Sequence, residues 1–181
     1  NHHNFIFAST GAAEKPESPY GLSKRMAEDI VRENSYDYTT FRFYNVIGTD
    51  GFAPTNPDGL MSNLIKAVDT GTFTIHGTDY DVSNDGTCVR DYVHVMEICD
   101  AIKTAIEKPS NSVECLGHGV GYTVREMVTM FQQVNDVDFL ISSGPRRKGD
   151  LPSSVLEDVS PYMRNLYTME QLLSVSTIMS K

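Results

Sequence analysis

Cysteine is scarce in this chain. Cys88, Cys99 and Cys115 are three in 181 residues, with no Cys-x-x-Cys spacing. That argues against a disulfide framework and for a reduced, cytoplasmic setting. Positive charge is also short: 15 Lys and Arg face 24 Asp and Glu, a formal charge of −9. A general binder of nucleic acid or of an anionic membrane is disfavoured. A small anionic ligand is still allowed, since it needs only a few placed arginines. No apolar run approaches the roughly 18 residues of a membrane span. The opening "NHHNFIFAST" has neither the basic region nor the apolar length of a signal peptide. No Gly-x-Gly-x-x-Gly or Gly-x-x-Gly-x-x-Gly turn occurs, so the usual cradle for a dinucleotide pyrophosphate is absent. No histidine spacing suggests a metal site, and His94 and His118 read as structural.

What is present is a globular composition, 40% hydrophobic and 22% charged, at the size of one domain. "NFIFAS" (4–9) predicts a buried strand, and Ser18-Pro19 starts a helix over 20–34 with Met26, Ala27 and Ile30 inward. "TTFRFYNVIG" (39–48) predicts one further strand, and a Gly-, Pro- and Asn-rich loop follows to Gly59. A helix over "LMSNLIKAVDT" stops at Gly71, with Leu60, Leu64, Ala67 and Val68 on one face. "FTIHG", "TCVRDYVHV", "SVECLG" and "VDFLIS" read as strands, and 95–108 as a helix. Thr123-x-x-Glu126 opens a helix as a capping box, and Ser160-Pro161 and Thr168-x-x-Gln171 are two more helix starts. The alternation of strands and helices predicts an α/β fold with parallel crossovers. There is no internal repeat and no clear linker.

One spacing carries chemistry. Tyr20 and Lys24 lie four residues apart at the start of a helix, hence on one face. A tyrosine is a weak base at neutral pH, and a nearby ammonium favours its phenolate. Such a pair can move the proton of an alcohol that is losing hydride. Alone the motif is weak: chance supplies it in roughly one such chain in three, and a solvated helix face would explain it. Thr10 closes the preceding strand, at the end where open α/β sheets bind ligands.

The ordered set "FIFAST", "PYGLSK", "FRFYNVIG", "DGTCVRDYVHV" and "PRRKGD" resembles the extended short-chain dehydrogenase/reductase family, nearest the UDP-glucose (UDP-galactose) 4-epimerases, over residues 4 to about 158. The resemblance implies the C-terminal part of a Rossmann-type parallel sheet (1–48) plus a smaller, mixed α/β substrate lobe (49–181), with later segments returning to the main sheet. It implies NAD as cofactor and a UDP-sugar as substrate, inverted at C4 through a 4-keto intermediate. Tyr20 then stands as the base, Lys24 as its partner and a contact to the nicotinamide ribose, and Thr10 as the strand hydroxyl. Tyr44 falls at the nicotinamide. Asn45, Asn63 and Leu64 fall in the sugar-nucleotide contacts, and Thr74 and His76 where the uracil is held. Arg90 and Arg147 fall at the diphosphate, Asp150 at the ribose hydroxyls and Ser154 at the sugar 2-substituent. Two guanidinium groups suit a diphosphate. Alone, Asn45 would read as a strand-end cap, and Arg90 with Asp91 as a surface ion pair.

Three departures from that family are visible. The N-terminal glycine-rich part is missing, the stretch between Thr10 and Tyr20 is short, and the chain stops soon after "TMEQLL". Thr10 is followed by Gly11 and Ala12 rather than an acidic pair, which excludes elimination by the dehydratase route. Ser154 leaves space for an N-acetyl group. The strand edge at 4–9 is expected to be covered by a second copy or by an N-terminal half. The alternatives left open are an inactive fragment, a UDP-sugar-binding module, and another nucleotide-sugar oxidoreductase of the family.

Overall fold

A computed structural model describes residues 4–49, 53–164 and 166–175. Part of the loop after Gly48, expected to run to Gly59, lies outside them. The elements are β1 (Asn4–Thr10), a 3-10 turn (Gly11–Ala13), α1 (Pro19–Asn34), β2 (Asp37–Phe43), β3 (Asn45–Ile47), α2 (Leu60–Thr70), β4 (Thr72–His76), β5 (Val89–His94), α3 (Val95–Glu107), β6 (Ser112–Leu116), β7 (Gly121–Thr123), α4 (Val124–Asn135), β8 (Leu140–Gly144), β9 (Ser153–Ser154) and α5 (Met169–Leu173). The fold is α/β with parallel pairings: β1-β2-β6 form one sheet and β4-β8 another. In a third, β5 takes β3 and β9 in parallel and β7 antiparallel. Among the described residues no helix is long and apolar enough to cross a membrane.

The helix ends follow their cap residues. Ser18 accepts from the Gly21 amide at the start of α1, and Thr123 and Glu126 close a reciprocal capping box on α4. Gly71 ends α2 at φ 73, a conformation a glycine adopts freely. Two apolar clusters result. Phe41, Val93, Ile98, Ala101 and Leu116 fill the space between α3 and the three-stranded sheet. Leu64, Phe73, Ile75, Tyr92, Met127, Phe131 and Leu172 form the larger one with α2, α4 and α5.

Four expectations are corrected. The strand over 39–48 is two strands: at Tyr44 the chain leaves β6 and takes up β5, so β2 and β3 belong to different sheets. The buried positions of α1 are Gly21, Glu28 and Val31, whereas Met26 and Ile30 are 58% and 63% exposed. The reason is a buried ion pair. Arg42 on β2 donates to both Glu28 oxygens at 2.9 and 2.7 Å, and Ser9 on β1 donates to Glu28 at 2.6 Å. The charged residue, not the apolar stripe, therefore faces the sheet. Ser160 begins a turn closed by the Met163 amide rather than a helix, and the last long strand starts at Leu140 rather than Val137. The short β7 and β9 carry too few residues for a periodic signal.

Burial raises the Glu28 carboxyl pKa, but the bonds from Arg42 and Ser9 outweigh it and hold the group below its ordinary value. A depressed folded value means that this stability is present at neutral pH. It drains as the pH falls below the ordinary carboxyl value toward the folded one. Replacing Glu28 with Ala leaves Arg42 buried and unpaired. It is expected to destabilise the chain by about 3 kcal/mol in urea unfolding at pH 7, with a smaller difference from the unaltered chain in acid. Equal differences at both pH values would contradict the role given to the carboxylate.

Candidate active site

Two cavities meet where the chain changes sheets. The larger holds about 640 Å³ and the smaller about 220 Å³. Tyr44, Asn45, Arg90 and Asp150 line both. Strands that diverge leave a crevice at their carboxyl ends, the usual ligand position in open α/β sheets. Of the residues picked from sequence, Asn63, Thr74, His76 and Arg147 line only the larger cavity, and Thr10 and Ser154 only the smaller. Leu64 is fully buried in the larger core and lines neither.

Tyr20 and Lys24 also line neither cavity, and Tyr20 is 57% exposed. Lys24 is nevertheless held against β1. The Lys24 Nζ donates to the Ala8 carbonyl at 2.9 Å and lies 5.1 Å over the Phe7 ring. Gly21 lets the first turn of α1 close on the 3-10 turn, since a Cβ there would stand 2.5 Å from the Ala12 carbonyl oxygen. Thr10 caps that same turn, its hydroxyl accepting from the Ala12 amide at 3.3 Å.

The cleft's polar side chains are mostly anchored. Asn45 donates to the Asp91 carbonyl at 3.1 Å, Asn63 donates to the carbonyls of Asp58 and Gly59, and Thr74 pairs with Ser142 across β4 and β8 at 2.9 Å. The His76 Nδ1 stands 3.2 Å from the Pro145 carbonyl, which can only accept, so the proton is assigned to that nitrogen. Arg90 donates to the Val89 carbonyl and approaches Asp150 at 3.9 Å. The Tyr44 hydroxyl donates to Glu14 at 3.2 Å; burial first, then that carboxylate, push its pKa well above the ordinary tyrosine value. Burial does the same to Tyr92 and raises the Cys88 thiol. All three line the larger cavity as neutral groups at pH 7, so neither of these tyrosines is a base there.

Asp91 follows Arg90 on β5. It is fully buried and forms no surface pair with Arg90. Its carboxylate accepts the amides of His118 and Gly119 at 2.8 Å each and of Leu156 at 3.3 Å. Gly117 packs on it, where a Cβ would lie 2.7 Å from Oδ2. One side chain thus ties β5 to the loop after β6 and to the segment after β9. "VRDYVH" alternates along a strand, so Asp91 had to face away from Arg90; that was the available signal. His94 caps α3 and stacks on Tyr167, and His118 bonds Glu97 at 2.8 Å, both in structural roles.

An α/β scaffold with a two-part crevice, two arginines and a Tyr–Lys helix is the class these observations define. Residues 4–116 match the profile of the NAD dependent epimerase/dehydratase family, and the chain belongs to that family. It is 36% identical over 155 residues to a UDP-glucose 4-epimerase of Yersinia pestis, covering 76% of this chain and 46% of that one. Over 158 residues it is 35% identical to a UDP-glucose 4-epimerase of Lactobacillus helveticus, covering 79% and 47%. The chain spans about half the length of the curated relatives it matches. A UDP-glucose 4-epimerase of Thermotoga maritima solved with UDP-glucose superposes with a TM-score of 0.78 at 28% identity, over 96% of this chain and 62% of that one. One of Bifidobacterium longum in complex with NAD+ and UDP gives 0.78 at 26%, over 94% and 61%.

Replacing Asp91 with Ala strands three backbone donors. Each unsatisfied buried donor costs about 1–3 kcal/mol, so a loss of about 3 kcal/mol or more is expected in urea unfolding. A loss below about 1 kcal/mol would show that water replaces the carboxylate and that Asp91 organises nothing.

Proposed function

We propose that this chain is the substrate-binding and proton-handling part of a nucleotide-sugar 4-epimerase acting on a UDP-hexose. The observation that carries the reading is convergence. Arg90 from β5 and Arg147 from the segment after β8 line one cleft in a chain of charge −9. Two guanidinium groups neutralise and grip a diphosphate. Thr74 and His76 stand on one wall for the base, and Asp150 joins the two cavities where a ribose hydroxyl needs an acceptor. The smaller cavity, with Thr10 and Ser154, is then the sugar end.

In this reading Tyr20 acts as its phenolate, whose oxygen takes the proton of the sugar 4-hydroxyl and, as the phenol, later returns it. Thr10 orients that hydroxyl, and Lys24 holds its ammonium on the same helix face as Tyr20. NAD, when bound, supplies reversible acceptance of hydride at the carbon bearing the hydroxyl. The residues present fit only its nicotinamide end, through Tyr20, Lys24 and Tyr44, because the 181 residues contain no glycine-rich turn for the pyrophosphate. Beyond β2, no strand pairs with β1 among the described residues. We propose that a second copy of the chain or a preceding half of a longer cytoplasmic protein covers that edge.

In calorimetric titration of the 181-residue chain, UDP and UDP-glucose are expected to bind. Arg147→Ala should weaken both by about tenfold or more. Tight NAD binding without UDP binding would sink the reading. UDP-N-acetylglucosamine should bind within about threefold of UDP-glucose, because the small Ser154 leaves room; a much larger gap removes Ser154 as the reason.

A further inference from the structure

Arg146 is the neighbour of Arg147, yet it does not line the cleft. The strands β4 and β8 run in register as far as His76 and Gly144, and the Gly77 amide still donates to the Gly144 carbonyl at 3.0 Å. Beyond that point the two chains part, one into the loop leading to Val89, the other into residues 145–152. Arg146 rejoins them. Its Nε donates to the Asp79 carboxylate at 2.7 Å, one of its amino groups donates to the Asp79 carbonyl, and its guanidinium lies 4.1 Å over the Tyr80 ring. The bond from Arg146 holds the Asp79 carboxyl below its ordinary range. Tyr80 is buried, and Gly77 at φ +77 makes room for both partners. A Cβ there would meet the Tyr80 ring at 2.6 Å and the Arg146 stem at 3.0 Å. The far end of the segment is pinned as well, by the Val89 amide on the Pro152 carbonyl at 3.0 Å, and within it the Asp150 amide closes a turn on the Arg147 carbonyl at 3.3 Å. Arg147 lies between these anchors.

We propose that Arg146 is a positioning residue. Clipped to Asp79 and Tyr80, it fixes the backbone of 145–150 so that Arg147 is presented to an anionic ligand in the cleft. The inference rests on reading the cleft as a nucleoside-diphosphate site. It differs from a plain charge effect in sign. If Arg146 acts only as a nearby positive charge, removing the Asp79 carboxylate tightens binding of an anion. If it acts as a clip, removing that carboxylate weakens binding.

Two measurements on the 181-residue chain decide this. In ligand-free amide exchange, Asp79→Asn and Arg146→Ala should each speed exchange across 145–152 several-fold while α4 is unchanged; no change there overturns the clip. In UDP titration, both variants should weaken binding by about tenfold, and the double variant no further than either alone. Arg146→Lys keeps the charge but loses the planar fork, so it should weaken binding like Ala. Tighter binding by Asp79→Asn, or full affinity in Arg146→Lys, overturns the proposal. Should the unaltered chain bind no UDP, the nucleotide reading of the cleft fails, and the exchange result still decides the clip.

Discussion

The buried carboxylate of Asp91 is the constraint on which the rest of the cleft depends. A charged group inside a protein is tolerated only when donors surround it, and here those donors are the backbone amides of His118, Gly119 and Leu156. To supply them, the loop after β6 and the segment after β9 must both fold onto β5. That leaves Arg90 on the opposite side of the strand, facing both cavities. β5 is also the strand that takes β3, β7 and β9 as partners.

The same device recurs elsewhere in the chain. Glu28 ties α1 to β1 and β2 through Ser9 and Arg42. Glu97 accepts from the amides of His94 and Leu166 and contacts His118; burial raises its pKa, but those bonds outweigh it and the result is lowered. Three acidic residues that would count as solvated surface in a composition are thus internal fasteners. They place negative charge inside the protein, away from the cleft that Arg90 and Arg147 share with Asp58 and Asp150.

Much of the fold was legible because the signals were local. Caps at Ser18, Thr123 and Thr168 and the stop at Gly71 lie within a few residues of the ends they set. Of the thirteen residues expected at the site from their motif positions, the structure brings ten, Asn45, Arg90 and Asp150 among them, to the two cavities. What stayed hidden was non-local. Nothing in "LSKRMAEDI" says that Arg42, fourteen residues beyond Glu28, will draw the acid inward and leave Met26 and Ile30 outside. Nothing near Tyr44 says that the chain will change partners there, since that depends on where β5 and β6 lie.

By itself, then, the amino-acid sequence determined the alternation of strands and helices, their ends and the order of the chemical motifs, because these depend on short-range backbone preference and residue type. The tertiary structure alone decided which face of α1 is buried and where the crevice opens. It also turned Asp91 inward and divided the site residues between two cavities. Those outcomes come from burial, and burial is set by partners distant in the chain.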